Sequence, residues 1–120
     1  MGKKILLIED YKDTAEMIAN VLRQKGHDVS CAYDGDAGLR RARERGADLI
    51  LLDIMLPGMD GFTVLQELKK DPVTAGIPVI IVTVKVAEED VERGLALGAS
   101  EYVCKPFDLE KLAGIVQKHL

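Results

Sequence analysis

The stretch Asp48-Leu49-Ile50-Leu51-Leu52-Asp53 holds four consecutive apolar residues between two acids. A strand with one face in water alternates apolar and polar side chains, whereas a parallel strand covered by helices on both faces is apolar throughout. We therefore predict a buried central strand over Asp48–Asp53. Pro78–Val82 has the same character and is predicted to be its central neighbour.

Short apolar runs alternate with longer amphipathic segments along the rest of the chain, which is typical of a sheet covered by helices. The other strands are predicted over Lys4–Ile8, Asp28–Ala32 and Glu101–Cys104. Helices are predicted over Thr14 to about Lys25, Gly35–Arg45, Asp60–Lys70, Ala87–Leu97 and Asp108–Leu120. For the first helix, Asp13 or Thr14 is expected as the N-cap and Gly26 as the residue after its end.

Right-handed crossovers restrict five such units to one topology. We expect an α/β fold, a doubly wound five-stranded parallel sheet in the order 2-1-3-4-5 with five helices, of the flavodoxin-like type. The whole chain, residues 1–120, is then a single domain. Cys31 and Cys104 are not at a metal-ligand spacing, and this topology puts them on opposite edge strands, so they are expected to be structural and unable to form a disulfide.

The bulk composition excludes several classes of protein. Of 120 residues, 48% are apolar and 30% are charged, with a net charge of −4 and a pI near 5.2. An acidic chain whose basic residues are dispersed is not expected to bind nucleic acid directly. Its apolar runs are too short for a membrane span, and the run after Lys3-Lys4 stops at Glu9-Asp10, unlike a signal peptide. We expect a cytoplasmic protein.

Polar residues follow the predicted strands at their carboxyl ends, where ligands bind in such sheets. They are Glu9 and Asp10, Asp53, Thr83 and Lys105. Each alone is more often a loop residue, a helix cap or an ordinary strand residue. Together they indicate one pocket with three carboxylates, which would repel one another without a cation. Oxygen ligands with no His or Cys nearby favour Mg²⁺.

Four stretches make the pattern specific. They occur in the order and spacing found in the receiver domain of bacterial two-component response regulators, and the resemblance covers the whole chain. The chain is similar to stand-alone regulators of the chemotaxis type or the sporulation and cell-cycle type. The stretches are Leu6–Asp10, Leu51–Gly61, Ile80–Thr83 and Gly98–Phe107.

The resemblance implies that Asp53 takes a phosphoryl group from a phosphohistidine on a histidine kinase or phosphotransfer protein. It implies Mg²⁺ held by Asp53, by Asp10 directly, by Glu9 mostly through water and by the backbone carbonyl of Met55. Lys105 would pair with a phosphoryl oxygen, and its bond to the following proline is expected to be cis. The protein would be a switch rather than an enzyme, with only slow self-catalysed phosphoryl transfer and hydrolysis.

The resemblance also makes Thr83 and Tyr102 the switch residues. The Thr83 hydroxyl would donate to the phosphoryl group, and Tyr102 would rotate into the vacated space; the alternative for Tyr102 is a half-buried aromatic with its hydroxyl in water. The surface of helix 4, strand 5 and helix 5 would then change for a downstream protein target. The chain is expected to be a monomer or weak dimer.

Two residues depart from the family pattern. Val84 is bulkier than the small residue usually found after the threonine, so it is expected to narrow access to Asp53. Met55 cannot orient an attacking water. Our hypothesis is a comparatively long-lived phosphoryl state.

Four other interpretations stay open. The chain could be a receiver cut from a larger regulator or hybrid kinase. It could be a Mg²⁺ phosphohydrolase, although such enzymes generally have an acid where Met55 stands. A flavin-binding protein would need a Ser/Thr-rich loop after the first strand. A pure interaction module of the same fold would not need the acidic set.

Overall fold

The computed structural model describes residues 2–120, and its elements alternate strictly between strand and helix. The strands are β1 (Lys4–Ile8), β2 (Asp28–Ala32), β3 (Leu49–Leu52), β4 (Val79–Thr83) and β5 (Glu101–Cys104). The helices are α1 (Lys12–Gln24), α2 (Gly35–Arg45), α3 (Gly61–Lys70), α4 (Glu88–Ala96) and α5 (Leu109–Lys118). All strand pairs are parallel, and the order β2-β1-β3-β4-β5 confirms the predicted topology.

The apolar run of β3 is explained by two separate cores. Ile50 and Leu52 point into a core shared with α2 and α3, while Leu49 and Leu51 point into a core shared with α1 and α5. All four side chains are fully buried. Burial of one such side chain contributes about 1.5–3 kcal/mol, so both faces of β3 stabilise the sheet.

The start of the first helix differs from its prediction. Helix α1 begins at Lys12, two residues early, and its N-cap is Tyr11, which makes no side-chain capping bond. The expected cap at Asp13 or Thr14 was therefore wrong. The cause is local: the Tyr11 carbonyl already accepts from the Ala15 N–H at 2.9 Å, so the first helical turn forms at Lys12. Gly26 follows the helix with φ of 95°, a conformation that favours glycine, as expected.

The remaining boundaries shift by one or two residues. β3 lacks both flanking acids, β4 extends to Thr83, and α5 ends at Lys118. Both cysteines are free; Cys31 lies buried on β2 and Cys104 exposed at the end of β5, on opposite edges. Within residues 2–120, none of the helices combines the length and apolarity that a membrane crossing needs.

Candidate functional site

Four of the five polar residues predicted to meet, the three acids and Lys105, do so at the carboxyl edge of the sheet. β1 and β3 are neighbours there although the helices that follow them cover opposite faces, and such a switch point leaves a crevice. Glu9 and Asp10 follow β1, and Asp53 follows β3. Carboxylate oxygens of all three lie within 4.8 Å of one another. Glu9 and Asp53 are buried, so their charges need partners.

Lys105 supplies the positive charge among these acids. Its Nζ donates to Glu9 Oε1 at 2.5 Å and to Asp53 Oδ2 at 2.9 Å. Its backbone N–H donates to the Thr83 carbonyl at 2.8 Å, which fixes the chain where β5 ends. The peptide bond to Pro106 is cis, as expected. One ammonium group thus bridges two buried carboxylates.

Backbone amides satisfy the other carboxylate oxygens. Glu9 Oε2 accepts from the Tyr11 N–H at 3.1 Å, and Asp53 Oδ1 accepts from the Met55 N–H at 2.9 Å. Among residues 2–120, every buried side-chain nitrogen or oxygen has a hydrogen-bond partner. The site is therefore held in position before any ligand arrives.

The electrostatics of the pocket leave an excess of negative charge. Burial raises the pKa of Glu9 despite the hydrogen bonds from Lys105 and Tyr11, and the nearby Asp53 charge raises it further. Burial alone would lower the pKa of Lys105, but hydrogen bonds to Glu9 and Asp53 outweigh it and raise the pKa. The single positive charge of Lys105 does not balance three acids, so the pocket attracts a divalent cation that prefers oxygen ligands.

A glycine that the sequence reasoning missed sets the loop between β3 and α3. A Cβ on Gly61 would lie 2.4 Å from the Ile54 Cα and 2.6 Å from the Asp53 carbonyl oxygen. The Gly61 N–H donates to the Ile54 carbonyl at 3.0 Å. Only glycine permits this approach, and the loop so held carries both Asp53 and Met55. The available signal was a glycine at the first helical position, directly after the N-cap Asp60.

Thr83 and Tyr102 do not touch the acids but meet at Lys85. The Thr83 Oγ1 is buried and accepts from the Lys85 N–H at 3.3 Å. Tyr102 is half-buried, and its hydroxyl donates to the Lys85 carbonyl at 2.5 Å. This hydrogen bond lies at an exposed position, so the alternative for Tyr102, a half-buried aromatic with its hydroxyl in water, stays open. Burial, with smaller effects from nearby acids, raises the pKa of Tyr102 to about 12.

Met55 and Val84 border different cavities. Met55 is 52% exposed and lines a cavity of about 460 Å³ together with Asp10 and Lys85. Val84 is 57% exposed and lines an apolar groove of about 500 Å³ together with Lys105. Met55 thus lies beside Asp10 and Val84 beside Lys105, and Asp53 itself lines neither cavity.

Comparison with known proteins agrees with this geometry. The family model for the response regulator receiver domain matches residues 5–117. The chain is 28% identical to chemotaxis protein CheY4 of Vibrio cholerae over 100% of both chains, with a TM-score of 0.93. It is 32% identical to the receiver domain of a Pseudomonas aeruginosa sensor histidine kinase, which has a magnesium ion coordinated in its active-site cleft; 98% of this chain and 97% of that one align, with a TM-score of 0.89. A CheY-like receiver domain from Methanospirillum hungatei is 27% identical, covering 98% of this chain and 93% of that one, with a TM-score of 0.92.

Proposed function

Because the chain belongs to the response regulator receiver domain family, we propose that Asp53 is its phosphoryl acceptor. The observation that carries the proposal is the bridge from Lys105 Nζ to Asp53 Oδ2 at 2.9 Å beside two further acids. The proposed donor is a phosphohistidine on a histidine kinase or phosphotransfer protein in the cytoplasm. The protein is then a switch that is phosphorylated once per signal, not an enzyme that turns over a substrate.

The transfer needs positioning and charge neutralisation more than a strong base. An Asp53 carboxylate oxygen attacks phosphorus as the bond from phosphorus to the histidine nitrogen breaks, and the imidazole leaves with a proton from solvent. The Met55 N–H holds Asp53 Oδ1 and thereby orients the attacking group. Lys105 is placed to follow the transferred oxygens, since its Nζ already lies at hydrogen-bond distance from Asp53.

The acidic set fits Mg²⁺, because its donors are carboxylate oxygens close enough to share one ion. Asp10, Asp53 and the Met55 carbonyl would hold the ion directly and Glu9 mostly through water. When bound, Mg²⁺ offsets the negative charge of the incoming phosphoryl group. The Glu9 side chain meanwhile holds Lys105 through a 2.5 Å hydrogen bond, so the two functions of Glu9 compete for the same carboxylate.

The proposed switch runs through Lys85. The Thr83 hydroxyl accepts the Lys85 N–H, which leaves its own hydrogen available to a phosphoryl oxygen. Movement of Thr83 toward Asp53 displaces Lys85, whose carbonyl holds the Tyr102 hydroxyl. Release of Tyr102 changes the surface of α4, β5 and α5, to which a downstream protein binds. The chain acts as a monomer or weak dimer.

The decisive experiment is incubation with Mg²⁺ and acetyl phosphate followed by intact mass spectrometry. We expect a gain of one phosphoryl group, which is lost in Asp53→Asn and kept in Asp36→Asn, an exposed acid at the start of α2. If no donor or kinase phosphorylates the chain, the pure interaction module is favoured. If Asp53→Asn is still modified, the acceptor assignment is wrong.

The lifetime of the phosphoryl group is a separate proposal. Met55 brings an exposed apolar side chain to the cavity beside Asp10, where a polar side chain would orient an attacking water. We expect Met55→Asn and Val84→Ala each to shorten the lifetime, measured as loss of the mass gain after the donor is removed. Unchanged lifetimes in both variants would contradict the proposal.

A further inference from the structure

Strand β2 is one edge of the sheet, because it pairs only with β1. The Asp28 N–H bonds to the chain just before β1 at 2.9 Å, and the Ala32 carbonyl accepts from the chain just after it at 3.0 Å. In a parallel ladder, residues that bond to one neighbour alternate with residues whose N–H and C=O groups point away from it. The even-numbered residues of β2 therefore face β1, and the backbone groups of Val29 and Cys31 point to the free side.

Both outward carbonyls of β2 are already occupied, each by an arginine from a different helix. Arg23 on α1 donates to the Val29 carbonyl at 3.0 Å. Arg41 on α2 donates to the Cys31 carbonyl. Because α1 and α2 cover opposite faces of the sheet, the two side chains reach the edge from opposite sides. An edge strand left open is a template for pairing with another chain.

The opposite edge has no such cover. The Lys105 N–H bonds to the Thr83 carbonyl on β4, so the same alternation turns the backbone groups of Tyr102 and Cys104 outward on β5. Within residues 2–120, no side chain donates a hydrogen bond to the backbone carbonyl of Tyr102 or Cys104. The paired arginines are thus a local feature of β2 and not a general property of the sheet edges.

We propose that Arg23 and Arg41 close the β2 edge against strand addition by a second copy of this chain. A second β2 would offer the N–H groups of Val29 and Cys31 to the carbonyls of the first, and the guanidinium groups take those acceptors. Edge-to-edge approach would also bring four like charges together. The proposal involves no residue of the phosphoryl site, so it stands or falls independently of the proposed function.

The test replaces both arginines with methionine, which keeps an unbranched apolar stem but removes the donors and the charge. By sedimentation equilibrium, we expect R23M/R41M to self-associate roughly tenfold more tightly than wild type, or more. Amide hydrogen exchange at Val29 and Cys31 should slow in the associated form, because these N–H groups become paired.

The matched control is R40M/R45M, which removes the same charge from exposed positions of α2 that do not bond to β2. The proposal is overturned if R23M/R41M is no more associated than this control. Association without protection of the Val29 and Cys31 amides also overturns it, because the interface would then lie elsewhere. If the double variant does not fold, the single variants R23M and R41M take its place, because each frees one carbonyl. Each must then self-associate more tightly than R40M.

Discussion

Replacing Gly61 with alanine should destabilise the domain and disorganise its acidic site together. The three atoms nearest to the added Cβ would all be backbone: the Ile54 Cα at 2.4 Å, the Asp53 carbonyl oxygen at 2.6 Å and the Ile54 carbonyl carbon at 2.9 Å. A flexible side chain could rotate away, but these atoms belong to the loop that positions Asp53 and Met55. The first turn of α3 and the loop must therefore separate.

The size of the effect follows from the overlap. Restoring an ordinary carbon–carbon distance of about 3.5 Å requires roughly 1 Å of backbone movement. Overpacking in a dense interior costs about 1–3 kcal/mol, and a contact with backbone on both sides belongs at the upper end. A loss of about 3 kcal/mol lowers the Tm of a domain of this size by about 10 °C.

Gly114→Ala is the matched control. Gly114 lies inside α5, its φ is not positive, and an added Cβ would meet no atom within 4 Å. Alanine there should stabilise the helix by about 0.5–1 kcal/mol. Urea unfolding monitored by circular dichroism measures both variants, and calorimetric Mg²⁺ titration should show weaker binding in Gly61→Ala alone. Equal stabilities of the two variants would refute the steric reasoning.

Three further predictions concern single side chains. Tyr102 has its pKa raised to about 12, so an ultraviolet titration should show a late phenolate transition that Tyr102→Phe removes. The contribution of Tyr102 to stability is present below pH 10 and is lost as the pH rises through about 12. Hydrogen bonds from His119 and Lys118 lower the pKa of Glu101 below its ordinary 4.5, so the associated stability is present above that value and is lost as the pH falls through the lower one. Glu101→Gln should flatten this part of the acid-unfolding curve, by at most about 1 kcal/mol for so accessible a group. A thiol reagent should modify the exposed Cys104 in the native protein and the buried Cys31 only after unfolding.

The topology could be predicted because it depends on the order of apolar and polar residues along the chain. The unbroken apolar run of Leu49–Leu52 can only be buried on both faces, and that requirement leads directly to a sheet covered by helices. The gathering of acids at one edge then follows from parallel strands ending together. The prediction of the α1 N-cap was wrong because the actual cap, Tyr11, makes no side-chain capping bond. Its position is set by backbone geometry, which the residue type does not reveal.

The contacts within the site were less predictable, because some join side chains far apart in the chain and others involve backbone atoms. Glu9 and Lys105 are 96 residues apart, and their hydrogen bond depends on the reach of one glutamate rotamer. The partner of the Tyr102 hydroxyl is a backbone carbonyl, which carries no sequence signal. The clearance beside Gly61 and the arginines on β2 are likewise matters of close approach, visible only when the elements are assembled.

The hydrogen bonds of Lys85 determine how a small motion would become a change of surface in the proposed switch. The Tyr102 hydroxyl bonds to the Lys85 carbonyl at 2.5 Å, and the Lys85 N–H bonds to Thr83 at 3.3 Å. A shift of about 1 Å in this loop would stretch the bond from the Tyr102 hydroxyl to the Lys85 carbonyl well past the range of about 2.5–3.0 Å that O–H···O bonds adopt, and would break it. The net loss of one such hydrogen bond costs about 0.5–1.5 kcal/mol, which shifts a two-state equilibrium roughly two- to tenfold. The Tyr102 ring would then move to another position. The ring packs closely against Gly94 of α4, where an added Cβ would lie 2.9 Å from it, so movement of the ring would change its packing against α4.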